Sequence, residues 1–531
     1  MSTAALLVKR LNALKSERTQ HESVWRDCFD YTYPLRGSGL NGNDLTLNSA
    51  KTKVAKLLDS VSTENSRTLA STIISGITPA NSLWFELGDS GMLDSEKGWF
   101  SDAAKILWEN IHASNYDAEA FEACLDAVCA GWFALYIEEA KTGGFSFQQW
   151  HISQVFAAST RQDGVVDTVF RCYQLSAEQA AKEFGEDALS ESLKASLRNK
   201  PDQKCDFIHA ILPRENYVEG GRLAKNLPFA SYHIEMVNKK IVRESGYHEF
   251  PVCVPRWMRI PKSVYGIGPV FDALPDIKEL NELKRMEKAA ADLAISGMWI
   301  AEDDGVLNAS SVTVGPRKVI VANSTDSMKP LLTGSDFNVA FTSEERLKES
   351  IRRTLMADQL PPVDGPVRTA TEFHVRLNHL RQMLGPVYGR FQAEYLQPLI
   401  ERCFGIALRA GVFGVLPDSL QGRNISIKYI SPLARSQKEV DVAAIERLGQ
   451  NVMALAQMDS TVLDNINTDA AVSVMVEALG VPAGVKRSEE EVEALRQQRA
   501  EAQQQAQAQA QMEQLGMEAG SEMIKAVANG G

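Results

Sequence analysis

The sequence lacks the features that mark membrane-spanning and secreted proteins. No run of eighteen apolar residues occurs, and the nearest candidate, residues 289–301, is short and contains Asp292. The seven cysteines are scattered, odd in number and without a Cys-x-x-Cys pair, which argues against a disulfide framework or a structural zinc site. We therefore expect small, buried cysteines in a reducing cytosol, and no membrane partner.

Motifs that carry common enzymatic chemistry are missing as well. The chain has no G-x-x-x-x-G-K-[ST] phosphate loop, no H-E-x-x-H zinc motif and no G-x-S-x-G nucleophile turn. Residues 37–42 match a dinucleotide fingerprint in letters, but they follow a helix and Tyr33-Pro34 instead of a strand, so we interpret them as a loop. The sequence therefore predicts no catalytic residue, no cofactor and no metal, and a protein that is not an enzyme.

An excess of basic residues is also absent. The formal net charge is -12 at pH 7, whereas proteins that bind DNA tightly usually neutralise its phosphates with lysine and arginine. Tight non-specific DNA binding is therefore disfavoured. An acidic protein can still surround DNA if its task is to let DNA pass without adhering.

Hydrophobic periodicity predicts an α+β protein that is mainly helical. Apolar residues recur at helical spacing in residues 6–29 and 59–75 and, in two pieces broken near Asn115, in 101–132. Residues 133–260 show short alternating runs separated by turns, with one inserted helix near 177–184. With 531 residues, the chain is long enough for three or four sub-domains.

Short alternating and helical segments are predicted on either side of this strand-rich part. Residues Trp84–Leu87 alternate like a short strand. A long helix is expected to begin with Pro275 in its first turn and to end at Gly297. Thr342 and Glu345 form a capping box that predicts the start of another helix.

A proline-rich segment and a second long helix follow. Residues 358–367 contain three prolines and one glycine, so they cannot form regular structure. A capping box at Thr369 predicts a helix to about Cys403, with a kink at Gly385-Pro386. Beyond Val481 the chain is rich in Glu, Gln and Ala, which is typical of a solvated tail or of a helix that needs neighbouring copies.

Three groups of short phrases stand in a specific order along the chain. They are Leu69-Ala70-Ser71 with Gly76–Pro79 and Trp84–Leu87, then Pro255–Arg259 with Tyr265–Pro269, and finally Arg368–Glu372 with Leu384-Gly385, Glu394 and Pro398-Leu399. Together they resemble the portal, or head-to-tail connector, proteins of short-tailed double-stranded DNA bacteriophages. The resemblance covers the chain up to about residue 480.

The resemblance implies a portal fold with wing, stem, clip and crown, assembled as a homo-oligomeric ring of twelve copies. The implied wing comprises residues 1–265, with its strand-rich part at about 133–260. The stem comprises residues 266–296 and 342–357, the clip 297–341, the tunnel loop 358–367 and the crown 368–480. Residues 481–531 form a tail that is either a helical barrel or disordered.

The resemblance also implies a function. A structural portal subunit forms a channel at one capsid vertex of the virion, through which double-stranded DNA is packaged and ejected. Its partners would be the terminase large subunit, the tail adaptor protein and the major capsid and scaffold proteins, with assembly in the host cytoplasm. An internal ejection or scaffold protein is the alternative, although the strand-rich region argues against it. A nuclease or packaging ATPase is disfavoured by the missing phosphate loop.

Two sets of residues are candidates for the functional site. The first is the DNA-facing tunnel loop, whose prolines restrict φ and remove backbone donors, and it comprises Asp358, Gln359, Leu360, Pro361, Pro362, Val363, Asp364, Gly365, Pro366 and Val367. The second is a set of charges that either face the channel or pair between subunits, and it comprises Lys348, Arg352, Arg353, Asp276 and Glu279. Both interpretations of these charges remain open.

Overall fold

The computed structural model describes residues 2–40, 47–80, 83–88, 94–218, 221, 223–296, 298–301, 328–331, 337–357, 385–415, 432–456, 461, 467–479, 491–492, 494–499 and 501–502. The chain divides into two compact units. One is formed by Met1–Trp84 with Ile106–Gly414, and the other by Phe85–Lys105 with Val415–Gly531.

Helices dominate the first 130 residues. They are α1 (Thr3–Asp30), α2 (Leu47–Val54), α3 (Val61–Ile77), α4 (Asp94–His112) and α5 (Tyr116–Ala130). Ser2 caps α1, because its hydroxyl accepts a hydrogen bond from the backbone N–H of Ala5 at 3.3 Å. The predicted break near Asn115 is confirmed between α4 and α5. Helix α5 ends at Gly131, whose φ of 86° is left-handed.

Strands occupy the predicted strand-rich part, but two helices are inserted there instead of the one that was predicted. Its elements are β1 (Ala134–Glu139), β2 (Phe145–Trp150), β3 (Val155–Ala158), β4 (Thr168–Ser176), α6 (Ala177–Phe184), α7 (Glu191–Asn199), β5 (Lys204–Pro213), β6 (Phe229–Glu235), β7 (Lys240–Tyr247), β8 (Val252–Cys253), β9 (Met258–Arg259) and β10 (Gly266–Ile267). Strands β3 to β7 form an antiparallel sheet in sequence order, strands β2-β1-β8 form a second sheet, and β9 pairs with β10.

The five-stranded sheet is covered on both faces. Apolar residues of α1, such as Leu7 and Leu11, pack against Phe170, Ile208 and Ile234 on one face. Helices α6 and α7 cover the opposite face, where Phe207 is buried. Successive side chains of β5 point to opposite faces because a strand has a two-residue period. Phe207 and Ile208 are therefore both buried, each in the apolar core of its own face.

The second half of the described chain is again mostly helical. It contains α8 (Pro269–Ser296), β11 (Met298–Ala301), β12 (Met328–Leu331), α9 (Phe337–Thr354), α10 (Gly385–Phe391), a π-helical turn (Gln392–Leu396), α11 (Gln397–Arg409), α12 (Pro432–Ala456) and α13 (Thr468–Leu479). Strands β11 and β12 form an antiparallel pair, with Met298 opposite Leu331.

The predicted strand at Trp84–Leu87 is wrong. The described residues 83–88 carry no regular secondary structure. Trp84 and Phe85, which would point to opposite sides of a strand, are both buried, at 1% and 0% exposure. Consecutive burial of this kind is what an irregular segment enclosed by other elements produces, and the apolar alternation was therefore misleading.

Two predicted helix starts are also wrong. Helix α8 begins at Pro269, so that proline occupies the favoured first position and Pro275 lies inside the helix. Helix α9 begins at Phe337, which places the predicted capping residue Thr342 inside it. No proline or glycine interrupts residues 337–341, so the helix extends past the internal capping signal.

Candidate functional site

Helices α8 and α9 pack against each other as an antiparallel pair. Lys284 of α8 contacts Glu344 of α9, while Asp276 of α8 accepts a hydrogen bond of 2.6 Å from the hydroxyl of Ser350. The residue numbers fall along one helix as they rise along the other, which fixes the antiparallel direction. Ile351 is buried on the same helix.

Five charged side chains join this helix pair to the segment before α3. They are Asp59, Lys284, Glu287, Glu344 and Lys348, which we call the α8–α9 charge cluster. The Nζ atoms of Lys284 and Lys348 both lie 2.5 Å from Oε1 of Glu344. Lys284 also lies 3.3 Å from Glu287, and Lys348 lies 3.5 Å from Asp59. Glu344, only 4% exposed, is the centre of the cluster.

The cluster favours the ionised forms of Glu344, Lys284 and Lys348. Burial of Glu344 opposes its ionisation, but hydrogen bonds from Lys284 and Lys348 outweigh this effect and lower the pKa of the carboxyl below its usual value. The hydrogen bond to Glu344 raises the pKa of Lys348. The Glu344 carboxylate links α8 to α9, and Lys348 extends the link to Asp59 before α3.

Helix α8 is also tied to the N-terminal helices. The Nζ atom of Lys278 donates to Asp27 of α1 at 2.9 Å. The side chain of Asn281 accepts from the backbone N–H of Leu58 at 2.8 Å and donates to the carbonyl of Lys56 at 3.0 Å. The first half of α8 is therefore held by polar contacts to chain segments more than 200 residues away.

Three glycines allow the chain to cross itself where α8 begins. A Cβ atom on Gly131 would lie 2.1 Å from the carbonyl carbon of Ile267, and one on Gly268 would lie 2.5 Å from the carbonyl oxygen of Val128. A Cβ on Gly266 would lie 2.3 Å from the oxygen of Gly131. Only glycine permits this approach of two backbones, so the phrase Tyr265–Pro269 encodes the entry into α8.

A buried ion pair joins two of the phrases that carry the family resemblance. Arg256, 1% exposed, donates from Nη2 to Glu394 at 2.5 Å and from Nε at 3.0 Å. The backbone N–H of Arg256 also donates to Glu394 at 3.1 Å. The two residues are 138 positions apart, and no local sequence signal links them.

The predicted charged residues occupy different surroundings. Lys348 and Asp276 make the intrachain contacts given above. Arg353 forms an exposed pair with Glu349, one helical turn away, at 3.0 Å. Arg352 and Glu279 are exposed. The tunnel loop, residues 358–367, and the capping box at Thr369 lie outside the described residues.

A separate buried cluster lies on the face of the five-stranded sheet that is covered by α6 and α7. The rings of His209 and His233 stack with centroids 4.0 Å apart. Nε2 of His209 and the hydroxyl of Ser231 are 2.9 Å apart, as are Nδ1 of His233 and the hydroxyl of Tyr173. Burial, with Arg243 nearby, lowers the pKa of His233 to about 4. Burial and the neighbouring His233 also lower the pKa of His209 well below its usual value, so both rings are neutral at pH 7.

The described residues contain no group of three or more His, Cys, Asp or Glu side chains arranged to hold a metal ion. Among the same residues, no helix is both long enough and apolar enough to span a membrane. All seven cysteines are free. Burial raises the pKa of the Cys124 and Cys129 thiols to about 12, which suppresses the reactive thiolate. Five of the seven are buried as predicted, whereas Cys172 and Cys205 are partly exposed.

Comparison with known proteins identifies the family. Residues 4–486 match the model of the bacteriophage head to tail connecting proteins. The chain belongs to this family.

Two relatives extend over almost the whole chain. The portal protein of Salmonella phage epsilon15 is 29% identical over 512 residues, which cover 93% of this chain and 90% of the relative. The probable portal protein of Bordetella phage BPP-1 is 26% identical over 517 residues, which cover 93% and 91%. A solved structure described as the neck of an empty GTA particle computed with C6 symmetry is 14% identical and covers 72% of this chain and 85% of its own. Its TM-score is 0.36, too low to support an argument.

The family match confirms the resemblance drawn from the short phrases, and with it the prediction of a structural head-to-tail connector, or portal, subunit of a bacteriophage. The predicted mainly helical α+β fold is confirmed by the observed elements. The family is structural, which agrees with the prediction that the chain is not an enzyme.

Proposed function

We propose that twelve copies of this chain form the portal ring at one capsid vertex, through which double-stranded DNA enters and leaves the head. The family match over residues 4–486 is the observation that carries this proposal. Two relatives named portal protein and probable portal protein, each matched over nine tenths of its length, support it.

The chain acts as a conduit and performs no chemical step of its own. A net charge of -12 per copy, repeated around a ring, repels phosphates and lowers the friction on passing DNA. The tunnel loop, residues 358–367, projects toward that DNA. Arg352 and Glu279, both exposed, face either the channel or a neighbouring copy.

Helix α8 and the part of α9 from Thr342 onward form the stem between wing and clip. Their charge cluster and their ties to α1 supply the rigidity that a channel wall requires. The clip, residues 297–341, contacts the terminase large subunit during packaging and the tail adaptor afterwards. Major capsid and scaffold proteins surround the ring, which assembles in the host cytoplasm and stays in the virion.

Microscopy and native mass spectrometry of the purified protein test the ring directly. We expect closed rings of twelve copies with a central hole, and no ATP hydrolysis by the pure protein. A protein that stays monomeric under all assembly conditions would refute the proposal. Hydrolysis of ATP that is lost on mutation of a single carboxylate would restore the enzyme alternative.

Deletion of residues 361–366 tests the tunnel loop. We expect rings to form as in the wild type, while packaging or retention of DNA is impaired in an in vitro packaging reaction. A variant that cannot fold would show that these residues are a packed element, and the loop assignment would then be wrong.

A further inference from the structure

The helical stretch from Gly385 to Arg409 contains a π-helical turn with a local cause. The backbone N–H of Gln397 donates to the carbonyl of Gln392, five residues earlier. Pro398 follows directly. Proline has no N–H, and in a regular α-helix its ring clashes with the carbonyl four residues before it, here that of Glu394. Widening the helix by one residue relieves this clash.

The π turn carries the side chains that fasten this helix to the rest of its unit. Glu394 accepts three hydrogen bonds from Arg256, as described above. The hydroxyl of Tyr395, 3% exposed, lies 2.8 Å from that of the fully buried Tyr116. One turn earlier, Arg390 donates to the carbonyl of Trp257 at 3.0 Å.

Arg256 connects this anchor to the entry of α8. Besides Glu394, its guanidinium donates to the carbonyls of Gly164 at 3.0 Å and Val264 at 3.5 Å. Val264 is followed within a few residues by β10 and then by α8. A guanidinium at 1% exposure is costly without a carboxylate, so correct placement of Glu394 is needed for the whole junction.

We infer that Pro398 and Glu394 form one positioning device, in which the proline widens the helix and the widened turn aims Glu394 at Arg256. The device holds the helix that follows the proline-rich segment to the segment that enters α8. Its biological role rests on the proposed function, where it keeps the helical stretch from Gly385 to Arg409 in a fixed position relative to the stem. Pro398 acts through Glu394 and is a positioning residue.

A double-mutant cycle tests this coupling. The proteins are the wild type, Pro398→Ala, Glu394→Gln and the double variant, each purified as the full chain. We expect both single variants to have a lower Tm than the wild type, and the double variant to have the Tm of Glu394→Gln alone. Helix propensity by itself predicts the opposite sign for Pro398→Ala, a higher Tm. A higher or unchanged Tm, or additive shifts in the double variant, would overturn the inference.

Hydrogen exchange measured by mass spectrometry gives a readout that does not depend on global unfolding. In both single variants we expect faster amide exchange in peptides covering residues 253–259 and 390–397. Glu401→Gln is the matched control, because Glu401 is an exposed carboxylate on the same helix that accepts from Gln397. Equal exchange in Glu394→Gln and Glu401→Gln would overturn the inference.

The biological role is tested separately in assembled rings. Glu394→Gln is the mildest change, since glutamine keeps the shape and one acceptor, and rings of this variant should package less DNA than wild-type rings. Wild-type levels of packaging in that variant would refute the role. If the wild-type protein forms no rings but the double-mutant cycle shows coupling between Pro398 and Glu394, the proposed function is refuted. The inferred positioning role of Pro398 is then still supported.

Discussion

Glu344→Gln removes the central negative charge of the α8–α9 charge cluster while keeping the size of the side chain. Two ammonium groups lie 2.5 Å from this carboxylate, and a hydrogen bond to a charged group contributes about 1.5–3 kcal/mol. The side chains of Lys284 and Lys348 are 24% and 19% exposed, so both recover part of their hydration when the charge is lost. We expect the free energy of unfolding to fall by about 2–3 kcal/mol.

The stabilisation by Glu344 should depend on pH in a defined direction. The pKa of Glu344 is lower in the folded protein than its ordinary value of 4.5. A carboxyl of this kind stabilises the fold above its unfolded pKa, and the stabilisation is lost as pH falls through the folded pKa. The difference in stability between wild type and Glu344→Gln should therefore be largest near pH 7 and should shrink below about pH 4.5.

Urea unfolding followed by circular dichroism at pH 7 and pH 3.5 measures both quantities. Glu349→Gln is the matched control, because Glu349 pairs with Arg353 on the same helix but is 67% exposed, and it should change stability by less than about 0.5 kcal/mol. If Glu344→Gln unfolds like this control at pH 7, the cluster does not stabilise the helix pair and the reasoning is wrong.

Two further predictions concern the glycine crossing and the histidine pair. Gly131→Ala places a Cβ 2.1 Å from the carbonyl carbon of Ile267 at a φ of 86°, and we expect a loss of about 2–6 kcal/mol by denaturant unfolding; a loss under 1 kcal/mol would contradict the crossing. Because the folded pKa of His233 is about 4, stability should fall as pH drops from about 6.5 to about 4. His233→Gln should weaken that dependence of Tm on pH, and an unchanged profile would refute it.

Periodicity predicts the fold well where the faces of an element pack against neighbouring elements. The strand-rich part and the inserted helix α6 were predictable, because β4 and β5 alternate between two covered faces and α6 begins at a clear capping box. Sequence patterns fail at Trp84–Leu87, where an irregular segment with buried apolar side chains has the apolar pattern of a strand. They also fail at the N-terminus of α9, where the helix extends beyond an internal capping signal.

The candidate site is less accessible to sequence reasoning, since its contacts join distant segments. Lys348 is visibly basic, but its partner Asp59 is nearly 300 residues away. The same is true of Arg256 and Glu394. A proline irregularity was expected at Gly385-Pro386, while the described helix has its π turn just before Pro398. Proline predicts that a helix is perturbed, but it does not by itself tell a kink from a π turn.

The packing of α1 on the five-stranded sheet constrains how the chain folds during synthesis. Leu7 and Leu11 leave the ribosome long before Ile234, their packing partner in the sheet. At a synthesis rate of roughly 5–20 residues per second, the apolar face of α1 stays uncovered for about 10–45 s before that strand is synthesised. Chains truncated before β6 should therefore aggregate or be held by chaperones, whereas chains that extend past β7 complete this core.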